Sequence, residues 1–381
     1  MRDPGFALFF ILQNLPRGML LSVIPLQAFA ITGSAESASF LLFAVALGGI
    51  GAALVQPILI RQVGVYRAYL LSASAMILSS VLLMTGGVVF MALGLFVHAF
   101  AVAAAEVTLT LYVLARIPRH EISRFEPIRV LCVVLPLTIG PFAGVYLQET
   151  IAIHLPYVVT LITMVVAVVH FHWLGLHRLD VSNRARPGLN PLIAFPRFFN
   201  QPRLLLAYGL SLARSSWWTM FIIYTPIYAA STGLGELAGA ALVSAGTAWT
   251  ITVPFWGWLG RRYGFRFLVS LGCLVASIGT GLVFLLSGYP VFAVSLLVIT
   301  AIGPTMLDGA GNLLFFRAVR AADRSEMSAI FSTYRDTGQI LTPGVFAVLL
   351  KGFALPIVFA SAAGWMLVAA WYSRYIPRSL R

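Results

Sequence analysis

Six charged side chains stand inside long apolar stretches of this 381-residue sequence: Arg17, Glu106, Arg214, Asp308, Arg335 and Asp336. A charge at mid-depth in hydrocarbon costs roughly 2.5 to 3.5 kcal/mol on insertion scales, so each must face a partner or a wet cavity. Three are positive and three negative, which makes neutral pairing possible. Guanidinium offers a second chemistry, because it stays charged at any working pH and grips carboxylate or phosphate through two parallel hydrogen bonds. The acids offer a third, since a buried carboxylate that loses its cationic partner takes up a proton.

The elements that must position these groups are membrane helices. The chain is 60% hydrophobic and 10% charged, far from the soluble balance of roughly a quarter charged. A span needs about 20 mainly apolar residues. That criterion predicts six spans near 5–31, 37–60, 66–86, 88–115, 127–149 and 151–175, and six more near 204–230, 236–260, 266–287, 289–316, 326–350 and 353–376. Between the sets lies the only long polar interruption. The sequence therefore reads as an all-α polytopic membrane protein: a six-helix bundle over 1–176, a linker over 177–203 and a second bundle over 204–381. Within the linker, Asn190-Pro191 has the form of a helix start. Leu192, Ile193, Phe195, Phe198 and Phe199 beside Arg197 and Arg203 would suit a helix in the bilayer interface, against an irregular linker as the alternative.

Charge placement fixes the expected orientation. With both termini cytoplasmic, 21 of the 25 basic residues fall in inner segments, whereas the outer connections hold only Lys351, beside Glu36, Glu149 and Glu236. This is the retention of Lys and Arg on the cytoplasmic side, and it accounts for the net charge of +13 without a nucleic-acid partner. Cys132 and Cys273 sit in apolar runs and indicate neither disulfide nor metal. The first segment lacks an Ala-x-Ala-like cleavage site and is expected to remain in the mature chain. Arginine outnumbers lysine 24 to one, which points to a high-GC bacterium and its inner (plasma) membrane.

Twelve spans in two sets of six, with a long cytoplasmic loop between them, resemble the major facilitator superfamily. The local sign is Gly257-Trp258-Leu259-Gly260-Arg261-Arg262-Tyr263-Gly264-Phe265-Arg266, which is similar to that superfamily's Gly-x-Leu-x-Asp-Arg-x-Gly-x-Arg loop with Arg261 at the Asp position. The first-half counterpart keeps Arg61, Gly64 and Arg67 but has Gln56 for Gly and Ile60 for Asp. In span five, Gly140-Pro141-Phe142-Ala143-Gly144 resembles the Gly-Pro-x-x-Gly element of antiporters, and Thr342-Pro343-Gly344 holds the corresponding place in span eleven. Physically, Gly-Pro permits a bend and close helix approach.

The resemblance implies that spans one and seven line a central cavity. There Arg17, with Gln13 and Asn14 on its face, would stand opposite Arg214 with Trp217 and Trp218. Contact with an anionic ligand and salt-bridge gating both remain open for the two arginines. Glu106 and Asp308 are expected to meet Arg61 and Arg262 in an inner gate, with proton carriage as the second role. Arg335 and Asp336 point about 100° apart on a helix, so one should face the cavity and the other a packed helix. Asp336 is then the proton-coupling candidate, and Arg335 would answer Glu106 or Asp308. His98 falls where drug exporters of the superfamily carry a proton-linked residue, against the simpler reading of a hydrogen-bonded packing histidine.

No phosphate-cradling Gly-Lys-Ser/Thr loop and no Cys/His metal spacing occurs, so neither an enzyme nor a cofactor is expected. The resemblance implies a monomeric secondary-active transporter in the lipid bilayer. It would move a small organic, amphipathic or anionic substrate by alternating access, through proton-coupled export. The rivals are an anion or organophosphate exchanger, a lipid flippase, and a non-transport membrane partner protein with a transporter-like fold.

Overall fold

Apolar sequence without strand periodicity folds into helices, because helices satisfy their own backbone polar groups where water is absent. The computed structural model describes residues 4–117, 122–179, 191–319 and 324–376. In the first half these are α1 (Pro4–Thr32), α2 (Ala35–Met84), α3 (Val88–Arg116), α4 (Ile122–Thr150) and α5 (Leu155–Trp173). In the second they are α6 (Pro191–Phe199), α7 (Pro202–Ser231), α8 (Glu236–Ala248), α9 (Val253–Tyr263), α10 (Phe265–Leu285), α11 (Pro290–Thr300), α12 (Ile302–Ala310), α13 (Leu313–Ala318), α14 (Arg324–Ser332), α15 (Tyr334–Leu349) and α16 (Ile357–Ser373). Among the described residues there is no strand.

Spans two and three join into one helical run, α2, whose only break is Gly64 at φ 82°. The matching loop of the second half turns at Gly264, φ 97°, between α9 and α10. Both motif glycines thus supply a backbone conformation that costs other L-residues about 1–3 kcal/mol, although the first loop has lost its Gly and Asp landmarks. Span ten is divided more heavily than its composition suggests, at Ala301 and again at Gly311, φ 54°, just beyond Asp308. Span eleven is divided at Thr333, which ends α14 and starts α15.

Nine segments among the described residues are long and apolar enough to cross a membrane, including all six expected in the first half. The other three expected spans fall short for identifiable reasons. The 30-residue α7 is rich in Arg, Ser, Tyr and Trp, while α15 and α16 have 16 and 17 residues. Large apolar side chains such as Phe40, Ile139, Val169, Ile278 and Phe292 are exposed on the helices, as hydrocarbon-facing surfaces require.

The chain divides into two compact units, Met1–Arg186 and Pro187–Arg381. In the first, α1 packs on α4 and α5, and α2 on α3. In the second, α7 packs on α15, α8 and α16, and α10 on α16, α12 and α11. The linker helix is α6, and its Phe198 is fully buried against Tyr208, Phe315 and Phe331. That face therefore seats on protein rather than on lipid, while Phe195 stays exposed. Asn190 and Arg184 to Gly188 lie outside the described residues.

The Gly-Pro-x-x-Gly stretch explains how α1 and α4 meet. A Cβ on Gly140 would collide with the backbone of Gly18 and Met19, one on Gly144 with the Met19 carbonyl, and one on Gly18 with the Pro136 carbonyl. Three glycines thus let two backbones touch, the small-residue packing that membrane helices use. Replacing Gly140 by Leu is expected to cost about 1–3 kcal/mol or more by overpacking. A lowered midpoint of thermal unfolding in detergent, absent for Gly209→Leu, whose added Cβ meets nothing within 4 Å, would check it.

Candidate functional site

The four mid-span charges of the two repeats pair within their own units. In the first unit Arg17 of α1 meets Glu106 of α3, Nη1 to Oε1 at 2.6 Å. In the second, Arg214 of α7 meets Asp308 of α12, Nη1 to Oδ1 at 3.1 Å. The expected partners of the acids are elsewhere. Arg61 is exposed, and Arg262 lies over the rings of Trp258 and Tyr263 at 5.5 and 5.7 Å. Depth explains the correction. Arg61 lies three residues before the Gly64 break of α2 and Arg262 in the last turn of α9, both exposed, whereas Glu106 lies ten residues, about 15 Å of helix, from Arg116 at the end of α3.

The pairs differ in environment. The Arg17 and Glu106 side chains are 34% and 58% exposed, those of Arg214 and Asp308 10% and 25%. Around the buried pair a polar cluster closes. The Trp218 indole Nε1 donates to Asp308 Oδ2 at 3.0 Å. Arg214 Nη2 donates to the Tyr334 hydroxyl at 2.8 Å, and Arg335 Nε donates to the same oxygen at 3.2 Å. Both guanidinium groups lie over the Tyr334 ring, at 5.5 and 5.8 Å, where the ring quadrupole attracts cations. The Arg335 charge also acts on Asp308. Two cations thus converge on one carboxylate and one phenol. An incoming acid would find a bidentate fork there, with a protein carboxylate to displace.

Tyr334 is absent from the sequence reading. Its signal was its position directly before Arg335-Asp336 at the start of α15; Tyr208 of α7 reinforces this contact by bonding Thr337 and Thr333 at 2.9 and 3.2 Å. Of the adjacent pair, Arg335 is the one that reaches this cluster, and both Arg335 and Asp336 are exposed where they open α15 after the break at Thr333.

Other expected ligand contacts belong to the packing. Gln13 is buried and accepts from the Tyr69 hydroxyl at 3.2 Å, while Asn14 donates to its own helix at the Phe10 carbonyl, 2.8 Å. Trp217 is fully buried, stacked on Phe221 at 5.3 Å and donating from Nε1 to Thr280 at 2.9 Å. Nominal helical spacing put Trp217 near Arg214, yet the side chain turns into the core of its unit. Trp218 is the tryptophan that reaches the site. His98 feels the Arg17 charge, and its Nδ1 is buried with no hydrogen-bond partner among the described residues. Among those residues no cluster suited to a metal ion occurs.

A family model described as Major Facilitator Superfamily matches residues 6–343. No curated protein matches the chain. Among solved structures, a crystal structure of the nucleoside transporter NupG has 15% identity and a TM-score of 0.76, covering 98% of each chain. A peptide transporter POT in complex with sulfate has 15% identity and a TM-score of 0.74, covering 98% of this chain and 94% of that one. A POT family transporter in complex with 5-aminolevulinic acid has 14% identity and a TM-score of 0.75, covering 96% and 94%. At these identities the likeness is one of fold.

The two pairs should respond differently to neutralisation. Asp308→Asn strands a buried guanidinium and is expected to cost about 3 kcal/mol or more. Glu106→Gln leaves Arg17, at 34% exposure, able to reach a wet cavity, and should cost less. Thermal unfolding of both variants in detergent tests this, and the Arg214→Gln/Asp308→Asn double variant should recover part of the larger loss. Equal shifts for the two single variants would overturn it.

Proposed function

The chain belongs to the Major Facilitator Superfamily, and from that premise we propose that it is a proton-coupled secondary-active transporter of a small organic compound bearing an acidic group. The observation that carries the reading is the repeated pairing: an arginine on α1 or α7 bonded to an acid on α3 or α12. A ligand carboxylate or phosphate competes with Glu106 or Asp308 for the guanidinium fork. The displaced protein acid, still surrounded by apolar helices, takes up a proton. Substrate and proton then occupy the pairs in linked fashion. Each pair is also a two-state element of the kind alternating access needs.

Arg17 and Arg214 are the proposed substrate contacts, with Trp218, Tyr334 and Arg335 completing the second of them. Glu106 and Asp308 are the proposed coupling acids. Asp336 and His98 are proposed as further proton-handling groups. Because substrate and proton are bound together, this mechanism moves both in the same direction, as symport; the export by antiport implied by the Gly140-Pro141-x-x-Gly144 resemblance draws support only from a stretch whose visible part in the fold is helix packing. The setting is a bacterial inner membrane with both termini cytoplasmic, as the charge asymmetry supports.

Reconstituted vesicles provide the test. A panel of carboxylates and organophosphates should include a compound whose counterflow depends on both Arg17 and Arg214, with losses on the order of 10-fold or more in Arg17→Ala and Arg214→Ala. Glu106→Gln and Asp308→Asn should retain counterflow while losing the response to an imposed proton gradient. If arginine variants transport as well as the unaltered protein, the acidic-substrate reading fails. If the neutralised acids still follow the gradient, the coupling assignment fails.

A further inference from the structure

Away from the charge cluster, the second unit carries an apolar groove of about 620 Å³ between α7, α15 and α16. Leu206, Leu210, Ala213, Leu341, Trp365 and Val368 line it, and Arg203, Tyr372 and Tyr375 stand at one end. Leu341, Val368 and both tyrosines are exposed, so the groove opens on the unit's surface. Its floor is made by the lack of a side chain at Gly209, where an added Cβ would meet nothing within 4 Å.

We propose that this groove holds one acyl chain of an anionic phospholipid from the bilayer, with the phosphate against Arg203. The apolar lining and its volume suit a lipid tail, within the roughly 300–1,000 Å³ of ordinary ligand sites. Charge complementarity selects the headgroup. Arg203 is exposed and has no salt bridge among the described residues, whereas Arg374, between the two tyrosines in sequence, is occupied by Tyr375, Nη2 to hydroxyl at 2.8 Å, and by the Trp371 ring. Tyr372 and Tyr375 are the residue type that anchors at the level of lipid headgroups. The end they mark is cytoplasmic by the positive-inside rule, the side on which basic pockets between helices recognise anionic lipids. The site is separate from the Arg214 cluster and does not depend on the transport reading.

Native mass spectrometry of the full chain, loaded from mixed micelles of phosphatidylglycerol and phosphatidylcholine, tests it. The unaltered protein should retain phosphatidylglycerol in preference. Gly209→Phe should abolish that retention by filling the groove, and Arg203→Gln should cut the preference about fivefold. Trp365→Phe should leave it unchanged, since an acyl chain makes no use of the indole N–H. If Gly209→Phe does not fold, Val368→Trp narrows the groove from its exposed flank and carries the same expectation. Three results would overturn the proposal: retention undiminished in a folded groove-filling variant, equal retention of the two lipids, or loss in Trp365→Phe as complete as in Gly209→Phe. The last would mean a small polar occupant.

Discussion

An arginine cannot remain alone in hydrocarbon, and much of this molecule answers to that constraint. Each unit carries one arginine deep in its first long helix, α1 or α7, and each supplies an acid from a helix that packs nearby. Arg17 with Glu106 and Arg214 with Asp308 are the result. The cost of breaking either pair ties helix position to charge state, which is the property a transporter exploits when a ligand or a proton replaces one partner. The more enclosed pair has also gathered Trp218, Tyr334 and Arg335, so that no polar atom of Asp308 faces hydrocarbon unaided.

Bringing those helices close enough depends on backbone contact. Gly18, Gly140 and Gly144 let α1 lie on α4. In the second unit a Cβ on Gly338 would press on Ser215, and the Thr342 hydroxyl reaches the Ser216 carbonyl at 3.5 Å, so α15 lies similarly on α7. A third contact sets Asp308 in place. Its neighbour Gly309 meets Trp256 and Gly257 closely, which makes the leading glycine of the loop motif a packing residue. The first unit has Gln56 at that motif position, buried, with Nε2 on its own helix at the Ala52 carbonyl, 3.2 Å. Loss of the motif glycine there goes with Val107 after Glu106, where the second unit has Gly309 after Asp308.

The two units therefore share a plan and differ in closure. One acid-arginine pair is open to surroundings at 58% exposure of its carboxylate side chain, the other shielded at 25%. In the proposed mechanism the first is the easier to exchange with water or ligand. The second, held by more donors, requires a better competitor.

Composition and spacing alone determined a great deal: the all-helical membrane class, the six spans of the first half, the landmarks separating the repeats, and the six intramembrane charges. These follow from local quantities, namely run length, hydropathy and the cost of a charge in lipid, which need no knowledge of neighbours. Helical periodicity went astray where it had to choose a face. Gln13 and Trp217 share a nominal face with the arginines but turn into packed cores, and Tyr334 reaches Arg214 from 120 residues away. Only the tertiary structure decided that each arginine meets the acid of its own unit rather than an acid meeting the loop arginines. That choice rests on which helix lies beside which and at what depth, and on the breaks at Thr333 and Gly311 that re-aim whole segments. Such relations belong to pairs of distant residues, and no single stretch of sequence carries them.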